Sequence, residues 1–217
     1  MFTATLTRTP RALGALALAA SLGLTVVACG DDGDSGSPSA TRTASNGDVF
    51  NDADVQFASD MIPHHAQALV MVDLTMGRPL DPQVRELTEQ IRDAQGPEIE
   101  TMTDWLTAWD QEVPETMRDH SNAGHDMGDM GDMGDMGGTG SDMPGMMSAD
   151  HLDELQHAPD GEFEDMWLRM MIEHHEGAIE MAQAEQQDGT FADAIALAES
   201  IESSQQEEIE RMEGLLD

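Results

Sequence analysis

Residues 171–181 read M-I-E-H-H-E-G-A-I-E-M, and residues 61–71 read M-I-P-H-H-A-Q-A-L-V-M. The two stretches lie 110 positions apart and agree at 6 of 11 positions, which marks an internal repeat built around paired histidines. Both have helical spacing. Phe57, Met61, His64, Ala68 and Met71 fall at steps of four and three, and Ile62, His65, Leu69, Val72 and Met76 form the adjoining stripe. In the second copy the stripes are Trp167, Met171, His174, Ala178, Met181 and Leu168, Ile172, His175, Ile179, Ala182, with Glu173, Glu176 and Glu180 on the outer face. All four histidines therefore belong to apolar helix faces. Pro63 predicts a kink just before His64, because it cannot bond the carbonyl of Ser59.

Each histidine helix is followed by a second amphipathic run. Gly77, Arg78 and Pro79 end the first helix, and Pro82 suits the first turn of the next. The seam of that helix is Val84, Leu87, Ile91, Gln95, Glu98, Met102, Trp105 and Trp109, with a further kink expected at Gly96-Pro97. Its counterpart is Ala194, Leu197, Ile201, Gln205, Glu208, Met212 and Leu215. Residues 91–106 and 201–216, again offset by 110, share 7 of 16 positions, including Gln95 with Gln205 and Glu98 with Glu208. The repeat is thus a helical hairpin. One hairpin cannot bury its apolar face alone, so two facing each other predict an all-α four-helix bundle with a long crossover, the ferritin-like arrangement. Ser148 is placed to cap a short extra helix over 149–157.

The ends and the crossover have separate compositions. Arg8 and Arg11, an apolar run over 12–27 and Ala28 before Cys29 form a secretory signal, too short to span a membrane stably. The run V-V-A-C resembles a bacterial lipobox and makes Cys29, the sole cysteine, the expected lipidation site; simple secretion is the alternative. The expected organisation is a signal over 1–28, a flexible Ser/Gly/Asp tether over 29–50, hairpins over 51–110 and 148–217, and a disordered crossover over 111–147. The formal net charge is −35, with no lysine, and it excludes nucleic acid and anionic lipid as charge-driven partners. Membrane contact would rest on the lipid. The same field concentrates cations.

The crossover repeats Gly-Asp-Met, setting Met127, Met130, Met133 and Met136 three apart, followed by Met143, Met146 and Met147. Thioethers suit Cu(I), and His120, His125 and His151 with nearby Asp suit Cu(II); repeat slippage in a tolerant linker is the bland alternative. In the bundle, Glu98 and Glu208 face inward opposite the paired histidines, and a buried carboxylate needs a cationic or hydrogen-bonding partner. Protonated histidine supplies one without metal. Alternatively the Glu residues orient metal-bound imidazoles or bind the ion, with Met61, Met71, Met171 and Met181 as packing or soft ligands and Gln95 and Gln205 in support. A di-iron carboxylate site fits poorly, since these helices contain no Glu-x-x-His spacing. No catalytic nucleophile is recognisable.

The motif M-I-x-H-H-x-x-A-x-x-M followed by Q-x-x-E-I-x-x-M resembles the bacterial secreted family known as domain of unknown function 305, in both copies, over 52–109 and 148–216. The resemblance implies a ferritin-like bundle of two sequence-similar hairpins, with His64, His65, His174 and His175 as the functional pairs and copper binding outside the cytoplasm in some relatives. The expectation is an extracytoplasmic lipoprotein that binds metal ions, copper as Cu(I) or Cu(II), and buffers or hands them on. A bundle-centred redox enzyme and a structural module with buried His–Glu pairs are the alternatives.

Overall fold

The computed structural model describes residues 40–117 and 143–216. Helix α1, Asp52–Asp73, begins at Asn51, whose side chain accepts the Ala53 and Asp54 N–H groups while Asp54 accepts the Asn51 N–H. This reciprocal cap satisfies donors that the first helical turn leaves open. Helix α2, Pro82–Ala108, starts on Asp81 with proline in its first turn. Helix α3, Ala149–His157, is capped by Ser148, as the sequence suggests. Helices α4, Asp160–Asp188, and α5, Ala192–Leu216, complete the second hairpin. Both α1 and α2 continue through their internal prolines, Pro63 and Pro97. No helix among the described residues is long and apolar enough to cross a membrane.

Two local expectations change. Helix α1 stops at Asp73 rather than at Gly77, and the Thr75 hydroxyl donates to the Val72 carbonyl at 2.6 Å as the chain turns away. Met76, assigned to the inner stripe, is consequently 71% exposed. Part of the expected tether is folded: strands β1, Arg42–Thr43, and β2, Val49–Phe50, form an antiparallel pair. Phe50 stacks on Trp109 at 4.5 Å and Asp48 accepts the Trp109 indole N–H at 3.1 Å, so an aromatic contact invisible to local patterning anchors this segment. The Cys29 and signal-peptide readings lie outside the described residues.

The architecture is the expected all-α bundle. Helix α1 packs on α2 and α4 on α5, and the hairpins meet mainly through α1 and α4. The core falls into two apolar clusters. One contains Met71, Leu87, Ile91, Trp167, Met171 and Met212; the other contains Phe57, Met61, Met102, Leu106, Ala178 and Ile201. Along every long helix the residues between the clusters are polar: His64 and His65 on α1, Gln95 and Glu98 on α2, His174 and His175 on α4, Gln205 and Glu208 on α5. A transverse polar layer therefore divides the core.

Candidate functional site

The four histidines are fully buried, and Gln95 and Gln205 are 2% exposed. In a helix, adjacent residues sit about 100° apart, so each pair sends one ring toward its own hairpin partner and the other toward the opposite hairpin. His65 Nε2 lies 2.8 Å from Glu98 Oε2, and His175 Nε2 lies 2.7 Å from Glu208 Oε2. The repeat is thus preserved in geometry. His64 and His174 face each other across the hairpin interface with ring centroids 3.8 Å apart.

His64 and His174 differ in their partners. His64 Nε2 donates to the Pro144 carbonyl at 3.0 Å, because a carbonyl can only accept. Neither ring nitrogen of His174 has a hydrogen-bond partner. Burial, then the charge of neighbouring His65, pushes His64 down to about 3. Burial, then the charges of His64 and His175, pushes His174 well below the ordinary histidine range. Both rings are therefore neutral near pH 7, the state in which imidazole offers a lone pair.

Unpaired atoms accumulate in this layer. The Nδ1 atoms of His64, His65, His174 and His175 have no partner, nor do both amide atoms of Gln95 and the Gln205 carbonyl oxygen. Each such atom costs on the order of 1–3 kcal/mol. A histidine whose Nε2–H is held by a carboxylate or carbonyl, with Nδ1 free, is the arrangement of a metal-ligating imidazole oriented from behind. His64, His65 and His175 have that form, so the donor chemistry fits a metal ion. Among the described residues, however, no three or more His, Cys, Asp or Glu side chains are grouped as around a metal.

The remaining candidates are dispersed. Met61 is buried in the cluster on one side of the layer, and Met71 and Met171 are buried on the other. Met181 is partly buried and lines a groove cavity of about 140 Å³ between α1 and α4, together with Gln56, Asp60 and Glu185. Of the crossover candidates, Met143 and Met146 are partly buried, Met147 is core, and His151 is exposed on α3. His120, His125, Met127, Met130, Met133 and Met136 lie outside the described residues.

Sequence reasoning missed Pro144, Gln67 and Gly177. Gln67 Nε2 donates to the Met147 carbonyl at 2.9 Å and its Oε1 accepts the Met147 N–H at 2.7 Å. Gly177 lies against the Pro144 backbone. Gln67 and Gly177 are equivalent positions of the repeat, and their non-identity inside a matching motif was the available signal.

A sequence profile for a family described as a domain of unknown function, DUF305, matches residues 54–216. A solved structure of a putative secreted DUF305 protein from Streptomyces coelicolor is 30% identical, with a TM-score of 0.61, covering 76% of this chain and 91% of that one. A DUF305 fragment from Deinococcus radiodurans is 28% identical, with a TM-score of 0.61 and coverages of 81% and 98%. CopM in its Cu(II)-bound form is 26% identical, with a TM-score of 0.58 and coverages of 75% and 95%. No curated protein matches the sequence.

Proposed function

The chain belongs to the DUF305 family, and from that premise we propose that it is an extracytoplasmic metal-binding protein whose cargo is copper, which it buffers or hands on. The observation that carries this reading is the set of buried imidazoles whose Nδ1 atoms are unpaired while their Nε2–H groups are held from behind. The similarity to copper-bound CopM supports the choice of metal, and the similarity to a secreted protein supports the location. His64, His65, His174 and His175 are the proposed ligands, with Glu98 and Glu208 orienting two of them. Anchoring through a lipid on Cys29 is part of the same proposal. The Met residues of the crossover, which suit Cu(I), form a second, softer site.

One observation favours a structural reading instead: in the His65–Glu98 and His175–Glu208 pairs the carboxylate already satisfies Nε2 without an ion. Copper uptake separates the two. Cu(I) and Cu(II) binding is measured for the wild type, for a variant with all four layer histidines changed to Gln, and for one with Met127, Met130, Met133 and Met136 changed to Ser. The expected result is loss of one class of site in each variant, with thermal stability rising on copper addition only when the histidines are present. Equal uptake by the histidine variant and the wild type overturns the histidine assignment.

A further inference from the structure

The end of the crossover, residues 143–147, lies across the groove between α1 and α4 at the level of the histidine layer. Four features hold it there. The Pro144 carbonyl accepts the His64 Nε2–H. The Gln67 amide pairs with both the N–H and the carbonyl of Met147. The Met147 side chain is 5% exposed within the core cluster that includes Met71 and Trp167. Gly145 adopts φ 72°, which glycine takes without strain, and a Cβ there would lie 2.6 Å from the Glu173 carbonyl oxygen.

Gly177 is the complementary half of this contact. A Cβ at Gly177 would lie 2.1 Å from the Pro144 oxygen and 2.3 Å from its carbonyl carbon, so any side chain there displaces the strap. A glycine in mid-helix is unfavourable on propensity alone. Its presence in α4 is explained by the backbone that lies against it. The repeat is symmetric in its histidines and broken at the Gln67/Gly177 position: one copy supplies the clamp and the other supplies the space.

We propose that residues 143–147 form a strap that both positions His64 and covers the histidine layer. Pro144 fixes His64 as the Nε2–H tautomer, which makes Nδ1 the ligand atom, and the strap backbone closes the α1/α4 groove through which an ion reaches that atom. Met143 and Met146, both partly buried, are the thioether residues of the strap. The metal part of this inference rests on the reading above; the tautomer and the cover do not.

The test uses the full chain as wild type, Gly177→Ala and Gln67→Ala. Gly177→Ala pushes on Pro144 while placing a better helix former in α4, so the helix survives as the strap is displaced. Gln67→Ala removes the clamp without adding bulk, and keeps the test open should the alanine at 177 prevent folding. In metal-free protein, the ¹⁵N shifts of His64 and its acylation by diethyl pyrocarbonate are measured; copper uptake and release are followed by stopped flow. The expected result is a single Nε2–H tautomer and slow acylation in the wild type. In the variants the tautomer is mixed, acylation is at least about tenfold faster, and copper both enters and leaves faster. Folded variants with wild-type tautomer and acylation overturn the strap, whatever copper does. Absence of copper uptake by the wild type overturns the metal reading, while the tautomer and acylation still decide the strap.

Discussion

His65 and His175 show how one residue type is put to two uses within a single layer. Each gives Nε2 to a carboxylate of its own hairpin, 33 residues along the chain, and keeps Nδ1 unpaired inside the bundle. Glu98 is the residue whose loss separates these uses. Glu98→Ala leaves the His65 Nε2–H buried without an acceptor, at a cost of about 1–3 kcal/mol, visible as a lower urea midpoint. On the proposed copper role it also releases a ligand ring from its orientation, so copper affinity should fall by about 10–100-fold, measured by chelator competition. Glu98→Gln retains an acceptor oxygen and should lose less of both. If Glu98→Ala lowers stability but leaves affinity intact, His65 is not a ligand. The sequence marked these residues because the histidines and the Gln/Glu pair recur at one offset. It did not mark Pro144, whose part is played by a backbone carbonyl that any residue carries.

At the level of elements, the start of α1 is tied to the α4–α5 turn by the Asp54 carboxyl and the Asn51 amide. Asp54 accepts the N–H groups of Asn51, Thr190 and Phe191, and Asn51 donates to the Asp188 carbonyl and the Thr190 hydroxyl. Glu185, 2% exposed, lies beside them. Burial first, then the neighbouring Asp54 and the charge of Asp188, pushes Glu185 up to about 9. Asp60, which lines the same cavity, is also raised by burial. The folded chain keeps a proton on Glu185 that the unfolded chain loses above its ordinary value of 4.5, so stability falls as pH rises from about 5 toward 9. The high net charge gives a trend of the same sign, so the informative comparison is with Glu185→Gln. Thermal melts between pH 5 and 9 should show a shallower loss in that variant, and identical slopes would remove Glu185 as a titrating group. Glu185 falls four residues beyond Met181 on the inner stripe of α4, so periodicity sets it apart from the exposed acids around it, but not its approach to Asp54. Its burial comes from packing between α1 and α4.

At the scale of the whole molecule, two hairpins hold each other and Arg78 clasps them at one end. Its guanidinium donates to the carbonyls of Gln156 and Ala158 and to Asp160, and lies 4.3 Å from the centroid of the Phe163 ring. A planar fork with several donors suits this task and an ammonium does not. Arg78→Ala should cost about 2 kcal/mol, with Arg78→Lys recovering only part of it in denaturant titrations; a neutral Arg78→Ala would place the coupling of the hairpins elsewhere. The sequence by itself determined the helices, their pairing into hairpins, the four-helix bundle and the burial of the paired histidines. Those properties are carried by periodicity and by repetition, which survive in one dimension. Only the tertiary structure decided that the polar residues align as one layer, that His64 and His174 meet while His65 and His175 pair with carboxylates, and that a strap crosses above them. Those contacts join residues 33 to 110 positions apart, several through backbone atoms, and such pairings leave no periodic trace along the chain.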